Sequence, residues 1–305
     1  MSASLTRRHL LYGAAAASAG GLLLPRPARA LGPAMDPATA QTVLALELGG
    51  SIAGVLKTAR APSQSFEGGD LRLGEFEASF MVGGSSALVE WALSIARGEG
   101  AVKSGAVIVA EYDLDVRRRI EFDGGVVTGM ALPRLVASEA KKQFAIGLKW
   151  QPQQVDHLAG SGKLGGGAGL AKQKSLMTNN YRLLGFPGES DFVVAIDLPT
   201  VTRKGGGKGK PIAEISPLSI EFAGRSQDSV YKFVRKVMDD GKLSGGERLD
   251  LQVQILDANG NEVMATVSLG GCGLRSYGEG EITANADAAP TLKLAFDVDS
   301  VDLRF

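Results

Sequence analysis

With 305 residues and 44% hydrophobic content the chain has material for two ordinary domains, and its 33 Lys plus Arg balance 33 Asp plus Glu, so nothing in the charge points to nucleic acid or an anionic membrane surface. A single cysteine, Cys272, excludes an internal disulfide and a CxxC metal site, and only His9 and His157 are present, which excludes a histidine cluster. Forty-one glycines and twelve prolines without a collagen period point to many short strands, hence an α+β, mainly β fold class.

Residues 1–30 read as a targeting segment. Thr6-Arg7-Arg8-His9-Leu10-Leu11 precedes an uncharged Ala- and Leu-rich run ending near Leu24, and Ala28-Arg29-Ala30 supplies a cleavage pattern after Ala30. The paired arginines are similar to those of a twin-arginine signal, which implies export of a folded cargo to the periplasm or cell surface. The run is short of the ~20 residues that span a bilayer, and no later stretch approaches that length, so no integral membrane protein is expected. If the segment is not used, the alternative location is the cytoplasm or a phage-like particle.

From residue 41 the chain alternates as strands do. Val43 to Leu48 leads into Gly54-Val55-Leu56, and Ala59 to Gly69 is loop-like. Phe76 to Phe80 is the next strand, and Leu88, Trp91 and Ile95 then recur at helical spacing. Ala106 to Tyr112 turns at Asp113-Leu114-Asp115 into Arg117 to Phe122, and Lys142 to Trp150 closes the series. A shift of 142 residues superposes Phe80 on Phe222, Leu88 on Val230, Trp91 on Phe233 and Ile95 on Val237. The second series opens with Tyr181 to Leu184 and Phe192 to Ile196. It continues through Leu249 to Leu256, a turn at Asp257-Ala258-Asn259-Gly260, Val263 to Val267 and Thr291 to Val298. Asn-Gly is a strong hairpin signal because both residues tolerate positive φ. The expected organisation is therefore two tandem β-barrel or sandwich units, 41–157 and 178–305, each flanked by one short helix, with a Gly-rich linker at 158–177.

The glycine runs do not match a phosphate loop. Gly162-Lys163 is followed by Leu164 and Gly209-Lys210 by Pro211, whereas a Walker loop requires Ser or Thr there to reach the metal. Arg203 to Lys210 reads as a basic mobile insertion. Arg117-Arg118-Arg119 reads as a solvated strand face, and His157 as a solvated loop residue with no partner to make it a base. Cys272 reads as a buried core thiol. Asp113 with Asp115, and Asp239 with Asp240, occupy turns or helix ends where aspartates are ordinary. No Gly-x-Ser-x-Gly elbow is present. No catalytic, cofactor-binding or metal-ligating residue is expected, and the chain is not expected to be an enzyme.

The element order across Phe80 to Trp91, Val107 to Phe122 and Phe144 to Trp150, repeated in Phe222 to Phe233, Leu251 to Val267 and Leu292 to Val298, resembles the tail tube proteins of contractile-tailed bacteriophages and contractile injection particles. The resemblance spans about residues 41 to 305 and rests on element order and apolar pattern. It implies sheets that join edge to edge into rings stacking as a tube, with copies of the chain and other injection-particle components as partners. Two units per chain then imply a pseudo-sixfold homotrimer. The alternative is an exported monomeric β-rich binding module. Tube subunits of that family carry no export signal, and residues 1–30 depart from it there.

Overall fold

A turn of two glycines starts the fold. Strands β1 (Val43–Leu48) and β2 (Ser51–Arg60) meet at Leu48 and Ser51 across Gly49 and Gly50. These take φ of 58° and 81°, a pair of left-handed conformations that a two-residue hairpin demands and that side chains resist. The structure is a computed structural model and describes residues 42–81, 86–165, 176–187, 192–204, 212–223, 227–239, 248–279 and 291–305. The arginine-pair segment at 1–30 lies outside the described residues, as do 166–175 of the Gly-rich stretch at 158–177 and the Gly/Lys run from Gly205 onward.

After β2 come a small hairpin, β3 (Gln64–Glu67) and β4 (Asp70–Leu73), then β5 (Phe76–Met81) and helix α1 (Ser86–Leu93). β5 buries Phe76, Ala78 and Phe80 on one face and turns Glu77 and Ser79 outward, the period-two pattern of a half-buried strand. Leu88, Val89, Ala92 and Trp91 make α1 apolar almost all round, and all four are buried. β6 (Val102–Ala110), the long β7 (Val116–Ala131), β8 (Arg134–Val136), β9 (Ala145–Gln151) and β10 (Gln154–Ala159) follow.

Six of these strands close on themselves in the order β1-β6-β7-β9-β5-β2 and back to β1. Closure works because β7 is long enough to serve two neighbours: its first part pairs with β6 as far as Val126, and Val126 to Ala131 pairs with β9. The Phe76 ring stacks on Trp150 at 4.7 Å between centroids, and Trp91 sits 5.7 Å from Trp150 and 6.3 Å from Phe122. These rings fill the barrel, and the Trp91 indole N–H donates to the Ala101 carbonyl at 3.1 Å.

The remaining elements are β11 (Tyr181–Leu184), β12 (Val193–Asp197), β13 (Thr200–Lys204), β14 (Ile212–Ile215), β15 (Leu218–Phe222), α2 (Gln227–Asp239), β16 (Leu249–Leu256), β17 (Val263–Glu279), β18 (Leu292–Asp297) and β19 (Ser300–Arg304). The second sheet follows the order β11-β16-β17-β18-β15-β12, which reproduces the connectivity of the first. Even its irregularities recur: the β7–β9 ladder breaks between Val127 and Gly129, and the β17–β18 ladder between Leu274 and Ser276. β2–β5 breaks between Leu56 and Thr58, and β12–β15 between Val193 and Ala195. One difference matters. β12 does not pair with β11 but with β8, and a hydrogen bond of 3.1 Å runs from the Tyr181 hydroxyl of β11 to the Val193 carbonyl of β12.

Both sheets border one continuous core that contains Trp91, Trp150, Phe222, Phe233 and Phe296. The mainly β, α+β expectation holds, and both helices fall where the apolar spacing put them. Two local expectations are corrected. Residues 64–73, within and beyond the loop-like stretch Ala59 to Gly69, form the β3–β4 hairpin, and Arg203-Lys204 ends β13 instead of entering a loop. Gln-Ser-Phe-Glu lacks an alternating apolar set, so the strand has no periodic signal. The hairpin expected at Asp257–Gly260 joins β16 to β17, and of its Asn-Gly pair Gly260 alone is left-handed, at φ of 73°. Asp257 accepts from the Asn261 and Glu262 amides at 2.8 and 3.2 Å, which stabilises a wider loop.

Trp91 is buried and packs against rings on two strands, Phe122 and Trp150, so Trp91→Ala is expected to cost about 3–5 kcal/mol of unfolding free energy, measured by denaturant titration. A loss under ~1 kcal/mol would show that the aromatic cluster is not what holds the barrel.

Candidate assembly interface

Backbone groups at sheet edges are the most conspicuous chemistry of this fold, since each unpaired N–H and C=O seeks a partner. Two such edges are satisfied within the chain. Past the point where β6 leaves it, β7 takes up β13, with Thr200 opposite Ala131, Val201 opposite Met130 and Thr202 opposite Gly129. β8, which follows β7, pairs with β12 through Arg134–Asp197, Leu135–Ile196 and Val136–Ala195. Val201, Met130 and Leu135 are buried by these joints. Arg134 adds ion pairs to Asp197 at 3.3 Å and Glu221 at 3.1 Å, and Lys293 approaches the same two carboxylates at 3.7 and 3.5 Å.

Other edges stay open. Among the described residues β14, β11, β10 and β19 each have a strand on one side, Arg275 to Glu279 of β17 has β18 on one side only, and β8 has β12 on one side while its Val136 amide donates to the Thr178 carbonyl at 3.2 Å. Among the described residues no other strand pairs with the β3–β4 hairpin, whose Leu73 carbonyl accepts from the Gln151 side chain at 3.0 Å, and it displays Phe66 at 77% and Leu71 at 52% exposure, directly opposite one another. An exposed apolar cross-strand pair on an isolated hairpin is a surface that gains from a partner.

The charged residues singled out in the sequence are dispersed. Arg117 pairs with Glu111 at 2.7 Å, and Arg118 lies 3.1 Å from His157 Nδ1. Arg119 is the half-buried member, gripping both Glu47 oxygens at 2.6 and 2.9 Å and Glu121 at 2.7 Å. The triplet is thus not a uniformly solvated face: Arg119 is held against β1 by Glu47. His157 is in β10 opposite Ile120, not in a loop, because the chain bulges at Pro152 and resumes pairing with β7. Clefts of about 340 and 600 Å³ flank Glu47 and Arg119, whose carboxylate and guanidinium are engaged with each other there.

Asp113 accepts from the Asp115 amide at 3.2 Å, and Asp239 ends α2; Asp240 lies outside the described residues. Leu164 follows Gly162-Lys163 and packs over Ala45, Ala106, Ile108 and Ala110 on the outer face of β1 and β6. Its amide donates to the Leu114 carbonyl at 2.8 Å, so this part of the glycine run is a clip on the barrel. Leu114, at φ of 69°, is the one described non-glycine residue in the left-handed region. Among the described residues no group of His, Cys, Asp and Glu is placed to hold a metal, and no helix is long and apolar enough to cross a membrane. Sequence reading missed the two intrachain joints. No residue pattern announces them: the Pro–hydroxyl step of Leu198-Pro199-Thr200, before the β13–β14 hairpin that joins β7, recurs as Ala61-Pro62-Ser63 before the β3–β4 hairpin, which joins no described strand.

No protein-family model matches the chain, and no curated protein does. Among solved structures, the tube-terminating cap of the anti-feeding prophage is similar over 44% of this chain and 93% of its own, at 12% identity and a TM-score of 0.33. A chain of the sheath–tube complex of the extracellular contractile injection system PVC, in its extended state, is similar over 46% of this chain and 99% of its own, at 10% identity and a TM-score of 0.32.

Two solution properties follow. Hydrogen bonding to Arg119, opposed by burial, holds the Glu47 carboxyl below its usual value of 4.5. A depressed carboxylate stabilises the fold above its unfolded pKa, and that contribution disappears as pH falls through the depressed folded value. Glu47→Gln is therefore expected to cost about 1–3 kcal/mol near neutrality and to flatten the loss of stability below pH ~4, read by denaturation across pH. Burial pushes the Cys272 thiol up to about 11, and its S–H donates to the Leu269 carbonyl at 3.4 Å. Native protein should resist a thiol reagent at pH 8 and react fully once unfolded; rapid labelling of the native chain would contradict that placement.

Proposed function

We propose that this chain is a non-catalytic structural subunit that assembles with copies of itself through sheet edges into rings or tubes, in the manner of a contractile injection system tube. The observation that carries the reading is the pair of joints β7–β13 and β8–β12, where sheet edges from the two halves of the chain are already sealed to each other by backbone pairing. The matched strand orders and matched bulges support two tandem units, 41–157 and 178–305, and a ring of such units would make three chains look sixfold. Other components of an injection particle are the further partners. Residues 1–30 support export through the twin-arginine route to the periplasm or cell surface.

Negative-stain electron microscopy of the chain from Leu31, with its mass in solution from light scattering, tests the reading. Rings, stacked tubes or a trimer mass are expected. One chain's mass at every concentration would refute self-assembly and favour an exported monomeric binding module.

A further inference from the structure

We infer that the β3–β4 hairpin of one chain docks on the Arg275–Glu279 edge of β17 in a second copy, pairing Ser63 with Gly278, Gln64 with Tyr277 and Ser65 with Ser276. The inference rests on the self-assembly reading and specifies its interface. It comes from carrying one observed joint onto matching positions. β13–β14 is the hairpin that leaves β12 and returns as β15; β3–β4 leaves β2 and returns as β5. Their registers coincide, Gln64 facing Leu73 and Glu67 facing Asp70 as Val201 faces Ile215 and Lys204 faces Ile212. The closing bond also coincides, Gly74 N–H to the Ser63 carbonyl at 2.8 Å and Ser216 N–H to the Thr200 carbonyl at 2.9 Å.

The acceptors match as well. Gly129, Met130 and Ala131 pair with Lys149, Leu148 and Gly147 just past the β7 bulge, and Ser276, Tyr277 and Gly278 pair with Ala295, Leu294 and Lys293 just past the β17 bulge. On β7 that segment is covered by β13 and Met130 is 1% exposed; on β17 it is uncovered and Tyr277 is 47% exposed. Each chain thus has one hairpin docked on one acceptor, one hairpin without a docking partner, and one acceptor edge bare among the described residues. The free hairpin belongs to the half whose acceptor is filled, so the joint between chains is head to tail. Such a heterologous joint propagates until it closes into a ring or extends as a filament.

Disulfide trapping tests this in the full chain, where buried Cys272 does not compete. Gln64→Cys with Tyr277→Cys, and Ser65→Cys with Ser276→Cys, are the in-register pairs; adjacent antiparallel pairs alternate between closer and wider spacing, so one of the two suits a disulfide. Mild oxidation of mixed isotopically labelled chains is expected to link different chains at these pairs, several-fold more than the out-of-register pair Ser65→Cys with Tyr277→Cys, and to produce a ladder beyond the dimer. Assemblies that form without in-register linkage would overturn this joint and leave self-assembly standing. A chain that stays monomeric throughout would overturn both. Linkage within one chain, seen as unmixed labels, would overturn the joint.

Discussion

Every strand edge in this molecule carries backbone donors and acceptors that water, another strand or a second chain must satisfy. β7 shows how the fold meets that demand: one edge is covered by β9 and then β10, the other by β6 and then β13. A strand of this length cannot end its pairing where one neighbour ends, and the bulge beyond Val127 re-aims it to receive the next. Closure of the barrel, attachment of the second sheet and the shared core all follow from that continuity.

The second sheet has the same long-strand device in β17, with β18 and β19 along one edge and β16 along part of the other. Its remaining edge, Arg275 to Glu279, is bordered by polar, exposed residues. The contrast between the two long strands does not come from their own ladders, which share bulge and register. It comes from what the other half of the chain offers: β13 is available to β7, and no described strand is available to β17.

Electrostatics plays a secondary, local part. Arg119 with Glu47 and Glu121 pins β1 to β7 on the outside of the barrel, while Arg134 with Asp197 and Glu221 pins β8 to the second sheet. Lys293 completes the second cluster, two cations against two carboxylates, and the ion pairs of both clusters hold neighbouring strands in place. The aromatic residues carry the packing: Phe76, Trp91, Phe122 and Trp150 in one half, Phe186, Phe222 and Phe233 in the other, with centroid separations of 4.7–6.3 Å.

The amino-acid sequence by itself determined the elements that bury a periodic face. Phe76, Ala78 and Phe80, the Leu88–Trp91 helix, and their counterparts Phe222, Val230 and Phe233 were legible because period-two and period-3.6 patterns state which side of an element avoids water. The burial of Cys272 was legible from its small apolar neighbours in the same way. The tertiary structure alone decided the hairpins and joints. Gln64 to Glu67 and Thr200 to Lys204 carry no buried periodic face of their own, and what makes them strands is backbone pairing with residues distant in the chain. Which edges are sealed and which stay open depends on backbone groups that every residue possesses alike, so side-chain identity cannot announce it.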